Sequence, residues 1–309
     1  MDLFVNADYD FLKVRRGAYL FSAVMIVVGI VSLILHGGPN YSIDFEGGLM
    51  MRIAFEEPVD VGELRNAILG ASEKTPEVTH DVDEGNNYII RIEQLGEGEG
   101  ETEAEMAADA VRSALASSFP DNPVTIRSVE AVGPKVGAEL RTKAIWAILW
   151  AMLGILIYIS WRFEFRFAIA SVVPLFHDLL IVLGLFSLLD IEISLVVVAA
   201  LLTIVGYSLN DTIVVLDRVR EDLKRYRQEG YGWIVNRAIN ETLSRTAVTS
   251  VTTFIVVTIL WVLGGAVIHD FALALMLGVI IGTYSSIFVA APLLVEWQEH
   301  SPQVRTKRR

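Results

Sequence analysis

Ser194-Leu-Val-Val-Val-Ala-Ala-Leu-Leu-Thr-Ile-Val-Gly-Tyr-Ser-Leu-Asn-Asp-Thr-Ile-Val-Val-Leu216 is apolar almost throughout, yet it carries one ionisable group, Asp211. About 20 such residues cross the roughly 30 Å hydrocarbon core of a bilayer as a helix. A carboxylate at the centre of a spanning helix costs about 2.5 to 3.5 kcal/mol on insertion scales, a penalty that Leu would avoid. The stretch therefore reads as a membrane helix whose buried charge or proton has a function.

Working outward, five more stretches approach or exceed the spanning length: 17–35, 144–161, 167–189, 247–267 and 271–295, with 193–216 as the fourth in chain order. Hydrophobic residues make up 53% of the 309, and the mean hydropathy is positive. That profile is a polytopic α-helical membrane protein with six transmembrane helices, not a soluble globule. The first stretch follows Lys13, Arg15 and Arg16 but lacks a small-residue cleavage site before Gly37 and Gly38, so it reads as a retained anchor. There is no cysteine, which excludes disulfides and thiolate metal sites.

Charge asymmetry sets the expected orientation. Lys and Arg crowd the arm 1–16, the turn with Arg162 and Arg166, the loop 217–245 and the tail 297–309 with its basic run 305–309. In a six-span topology these all fall on one side, the cytoplasmic one, with both termini. Transmembrane helix 1 then occupies 17–36, an external domain 37–142, and a five-helix region 143–296. The external stretch holds 21 Asp and Glu against 8 Lys and Arg, which excludes nucleic acid as its partner. A solvated acidic surface is the plain reading.

Within the external stretch the hydrophobic period changes. Residues 49–55 alternate as a strand, and Asp60 is placed to cap a helix carrying Val61, Leu64, Ile68 and Leu69. Residues 77–82 and 88–92 read as a strand pair across a turn at 83–87. A Gly/Glu-rich loop at 96–101, a helix over 102–118 and a strand over 123–129 complete β-α-β-β-α-β, a ferredoxin-like α+β domain. Asp81, Asp83 and Glu84 form no calcium-loop pattern and no His cluster joins them, so no metal or cofactor is expected. The domain has no catalytic signature, and binding or mechanical work is expected of it.

Two carboxylates concentrate the chemistry. Asp178 lies 11 residues into the third span, about 16 Å deep, with His177 beside it and Pro174 one turn earlier. Asp211 lies about 25 Å from the external end of its own span, and Thr203, Gly206, Asn210 and Asp211 share one helical face. Arg245 enters the fifth span at a depth that faces Asp211 and opens a polar stripe of Thr246, Thr249, Ser250, Thr252 and Thr253. An Asp211–Arg245 ion pair that only fixes packing is one reading. A proton or ion relay is the other, because so many ionisable groups in one small bundle exceed what packing requires. The Thr and Ser hydroxyls of the fifth and sixth spans are expected to bond their own i−4 carbonyls or a neighbouring helix rather than a substrate. Gly278 and Gly282, with Ser286, read as a close-packing face, and 218–229 as an amphipathic surface helix.

Three segments carry a family resemblance. Gly206-Tyr-Ser-Leu-Asn-Asp-Thr-Ile-Val-Val-Leu-Asp-Arg-Val-Arg-Glu221 resembles the fourth-span signature of the SecF family, with Leu216 where Phe is usual. Asn240-Glu-Thr-Leu-Ser-Arg-Thr-Ala-Val-Thr-Ser-Val-Thr-Thr253 is similar to that family's fifth-span motif. Asp44-Phe-Glu-Gly-Gly48 is similar to its motif after the first span, with Ser42 where glycine is common. The resemblance implies the resistance-nodulation-division transporter fold and a subunit of the SecDF accessory complex in the cytoplasmic membrane. Its partners would be SecD, the SecYE-type Sec translocon channel and translocating preproteins, with lipid around the helices. It further implies a non-enzymatic role in which ion-motive force drives late steps of protein export, with Asp211 carrying the proton and Arg245 as its partner. Asp178 joins the coupling set from its burial alone. A lipid or small-molecule exporter of the same fold is the alternative, disfavoured by the single small external insertion. An aspartyl protease using Asp178 and Asp211 lacks its Gly-x-Gly-Asp context.

Overall fold

A computed structural model of the chain describes residues 7–69, 76–81, 85–93 and 100–300. Asp83, Glu84, most of the 96–101 loop and the basic run 305–309 lie outside them. In chain order, helix α1 (Arg15–Leu35) follows a 3-10 turn, and the short α2 (Ile43–Glu46) leads to β1 (Gly48–Phe55), α3 (Val61–Ile68), β2 (Glu77–Asp81), β3 (Asn87–Glu93), α4 (Gly100–Ser118) and β4 (Val124–Val132). Helices α5 (Pro134–Arg162), α6 (Phe165–Leu188), α7 (Leu195–Arg225), α8 (Tyr231–Leu263), α9 (Ala266–Ser285) and α10 (Ala291–His300) follow, the last two joined by a π-helical turn at Ser286–Ala290. Among the described residues, six helices are long and apolar enough to cross a membrane, with α9 and α10 counting as one.

The chain divides into two compact units, a sheet unit of Tyr41–Trp146 with Glu192–Leu195 and a helical unit of the rest. In the sheet unit the strands run antiparallel in the order β2-β3-β1-β4, so the ferredoxin-like reading holds. Alternation along β1 points Leu49, Met51, Ile53 and Phe55 into one core with Leu64 and Ile68 of α3 and Val111 and Leu115 of α4. Asp60 caps α3 by accepting the Gly62 and Glu63 N–H groups, as its position predicts. The Tyr88 hydroxyl closes the edge of that core by bonding both the carbonyl and the N–H of Val59.

In the helical unit α6 is the central element: 67% of its apolar window is buried, against 11% for α5. Small residues make the packing close. A Cβ on Gly29 of α1 would stand 2.7 Å from the Gly184 Cα of α6. One turn on, the Ser32 and Ser187 hydroxyls bond at 2.8 Å. Gly278 and Gly282 of α9 receive Ile204 and Ser208 of α7 in the same way, which is the packing role their spacing predicts. Two helix ends differ from expectation. The helix expected over 218–229 is not a separate one: residues up to Arg225 continue α7, 226–230 form a short turn, and α8 starts at Tyr231. Ion pairs of Arg218 with Glu221 and Asp222 sustain the polar end of α7, and Arg218 and Arg237 both reach Glu241 of α8.

Candidate functional site

Asp178 is the hub of a buried polar cluster that ties four helices together. It is 1% exposed. Its Oδ2 accepts the hydroxyl protons of Ser208 on α7 and Ser285 on α9, while its Oδ1 lies 2.8 Å from His177 Nδ1 on α6. The other ring nitrogen of His177 is 2.9 Å from Ser22 Oγ on α1, and Ser22 is 3.1 Å from the Tyr284 hydroxyl. Tyr284 in turn donates to the Ala18 carbonyl. Gly282 leaves room beside the cluster, since a Cβ there would stand 3.0 Å from the Ser208 Cβ. His177 was the only partner of Asp178 visible in the sequence. Ser22, Ser208, Tyr284 and Ser285 were not singled out, because nothing in local spacing relates them.

Asp211 is equally buried, at 2% exposed, but held far more loosely. Among the described residues the Ser250 hydroxyl donates to it at 3.3 Å and the Thr249 side chain is also close, while Ser250 is at the same time 2.7 Å from Thr283 Oγ1. Among the described residues no ion pair joins it to Arg245. Arg245 is exposed instead, and lines a cavity of about 640 Å³ with Asp217, Arg218, Glu221, Glu241 and Ser244. Asn210, Gly206 and Thr203 lie on an open face of α7, and a Cβ at Gly206 would meet nothing within 4 Å. Thr246 is buried with its hydroxyl unpaired. Thr249, Thr252 and Thr253 bond carbonyls of their own helix, as expected.

The remaining predicted residues sit in the sheet unit. Asp44 lies on α2 and accepts the Leu195 N–H at 2.8 Å. Gly47 has φ +81°, and a Cβ there would stand 2.7 Å from the Pro134 Cα, so both its backbone and its surroundings demand glycine. Gly48 has φ +144° and opens β1. A further contact was not foreseen: Asn236 and Asn240 of α8 grip the backbone of Tyr9 and Phe11 through four hydrogen bonds of 2.9 Å.

Two family models match the sequence. Protein export membrane protein SecD/SecF, C-terminal, covers residues 111–300, and the SecD/SecF GG motif covers 32–59. The chain is 48% identical over 296 residues to the protein translocase subunit SecF of Magnetococcus marinus, covering 96% of this chain and 94% of that one. It is 40% identical over 299 residues to that of Endomicrobium trichonymphae, again with 96% and 94% covered. Among solved structures, the translocon-associated membrane protein SecDF of Thermus thermophilus superposes with a TM-score of 0.84 at 37% identity. That match takes in 97% of this chain and 40% of the longer SecDF chain. The family models and the relatives agree along nearly the whole sequence, and the chain belongs to the SecF group of the SecD/SecF family of protein-export membrane proteins.

Proposed function

We propose that the chain is the SecF half of a SecDF-type accessory unit of the Sec translocase, using ion-motive force across the cytoplasmic membrane to drive late steps of protein export. Both termini are cytoplasmic in this reading, the sheet unit is external and engages emerging preproteins, and the role is transport rather than catalysis. SecD is the partner half, and the pair acts beside the SecYE-type channel. The observation that carries the reading is the state of Asp211: a carboxylate 2% exposed, held by a long Ser250 hydrogen bond and a nearby Thr249 side chain, with no ion pair among the described residues. A group held so weakly changes its protonation with little to break.

Arg245 lies near enough to act on it electrostatically and supplies the positive charge that a newly ionised Asp211 attracts, and Asn210 precedes it on α7. Asp178 is the second carboxylate on the path, linked towards Asp211 through the run Thr283-Tyr284-Ser285 of α9, whose first residue bonds Ser250 and whose last bonds Asp178. One charge moved through 100 mV releases about 2.3 kcal/mol, enough to bias a helix rearrangement between two packed states. The test is export of a secretory reporter by Asp211→Asn protein in membrane vesicles, with and without a proton gradient. Asp211→Asn is expected to assemble with SecD and to lose the gradient-dependent part of export. A variant that keeps the gradient dependence would refute the coupling role.

A further inference from the structure

The second half of the turn between α6 and α7, from Glu192, together with Leu195, groups with the sheet unit. Tyr41 pairs with Ile193 as an isolated parallel bridge, and the Ser42 N–H donates to the Ile193 carbonyl at 3.1 Å. Arg91 of β3 forms an ion pair with Glu192 and a second with Glu77 at 3.6 Å. Asp44 Oδ2 accepts the N–H of Leu195, the first residue of α7, at 2.8 Å. Ser42 steadies that carboxylate's own helix by capping α2 at the Asp44 N–H.

The neighbouring chain is locked to the same point. A Cβ on Gly137 of α5 would stand 2.8 Å from the Phe45 carbonyl, and the Arg141 guanidinium lies over the Tyr41 ring at 5.4 Å. A connection that served only to join two helices would leave its backbone to water. This one is held by hydrogen bonds and ion pairs from β3 and from the segment before β1.

The structure assigns Asp44 a transmitting role: as a positioning residue it fixes the start of α7 to the sheet unit, so that movement of α7 is delivered to that unit as a rigid-body displacement. The inference rests on the coupling role proposed for Asp211. Helix α7 is unbroken from Leu195 to Arg225. Asp211 therefore lies 16 residues, about 24 Å, along the same rod from the bond that Asp44 makes. The carboxylate takes one of the N–H groups that a helix start leaves unpaired, where a negative charge also meets the positive end of the helix dipole.

Full-length protein co-expressed with its SecD partner would be compared as wild type, Asp44→Ala, Asp44→Asn and Asp211→Asn. Two readouts apply: amide hydrogen exchange over the first turn of α7, and export of a secretory reporter. Asp44→Ala is expected to exchange roughly tenfold faster there and to export no better than Asp211→Asn, while Asp44→Asn, which keeps an acceptor oxygen, recovers most of both. Unchanged exchange in Asp44→Ala overturns the joint, and wild-type export with raised exchange overturns its part in transmission. Normal export by Asp211→Asn would sink the coupling role instead, with Asp211→Asn exchange as in wild type. Because the chain has no cysteine, a Tyr41→Cys/Ile193→Cys pair supplies an independent check. Export that persists in the oxidised protein supports a joint that stays closed, and export lost on oxidation and regained on reduction overturns it.

Discussion

Asp178 and Asp211 are almost equally buried, and their surroundings set their different behaviour. Asp178 gathers three partners at its two oxygens, so Asp178→Ala would strand His177 Nδ1 and the Ser208 hydroxyl, while Ser285 keeps the Gly282 carbonyl. Each stranded group costs about 1 to 3 kcal/mol, so the variant is expected to lose about 2 kcal/mol or more. Asp211→Ala strands a single hydroxyl that already has Thr283 as a neighbour, and about 1 kcal/mol is expected. Thermal unfolding of the two variants in detergent, with their SecD partner, checks the contrast, and equal losses would contradict it. Both acids were legible in the sequence because hydropathy alone marks a charge inside a spanning stretch. The donors were not, since Ser208 and Ser285 lie 30 and 107 residues from Asp178 and look like any other helix serine.

At the level of elements, hydropathy located all six spans but not where their helices end. The apolar signal stops at the edge of hydrocarbon, whereas a helix continues as long as its backbone bonds and side-chain pairs are favourable. Helix α5 starts at Pro134, ten residues before its apolar stretch, with a Glu139–Lys143 pair at 2.8 Å on its polar turn. Glycines show the same limit in packing. Gly29, Gly154 and Gly184 read alike in sequence, but a Cβ on Gly29 or Gly184 would meet the other's backbone, while one on Gly154 would meet nothing within 4 Å. Gly184→Ala is therefore expected to force α1 from α6 and to cost roughly 2 to 3 kcal/mol. Gly154→Ala should be neutral or stabilising by about 0.5 to 1 kcal/mol. Unfolding midpoints of the paired variants would test this, and similar midpoints would show that the crossing yields.

For the molecule as a whole, the exposed face of α7 and α8 states what is missing around it. Thr203, Gly206 and Asn210 on α7 and Arg245 and Thr252 on α8 are all exposed. Hydrocarbon is a poor neighbour for such a strip, and another protein surface is a good one. The proposed SecD half is the partner that would cover it, and Asp211 follows Asn210 of this strip in the chain. Gly206 is the sharpest probe, because a side chain there touches nothing in the chain itself. Gly206→Leu is expected to leave the unfolding of the isolated chain within about 0.5 kcal/mol of wild type, as an open surface site should. Against the partner it inserts a bulky group into a close helix contact, so co-purification with SecD is expected to fall at least about tenfold, equivalent to about 1.4 kcal/mol. If Gly206→Leu instead binds SecD as wild type does, the strip faces something other than the partner.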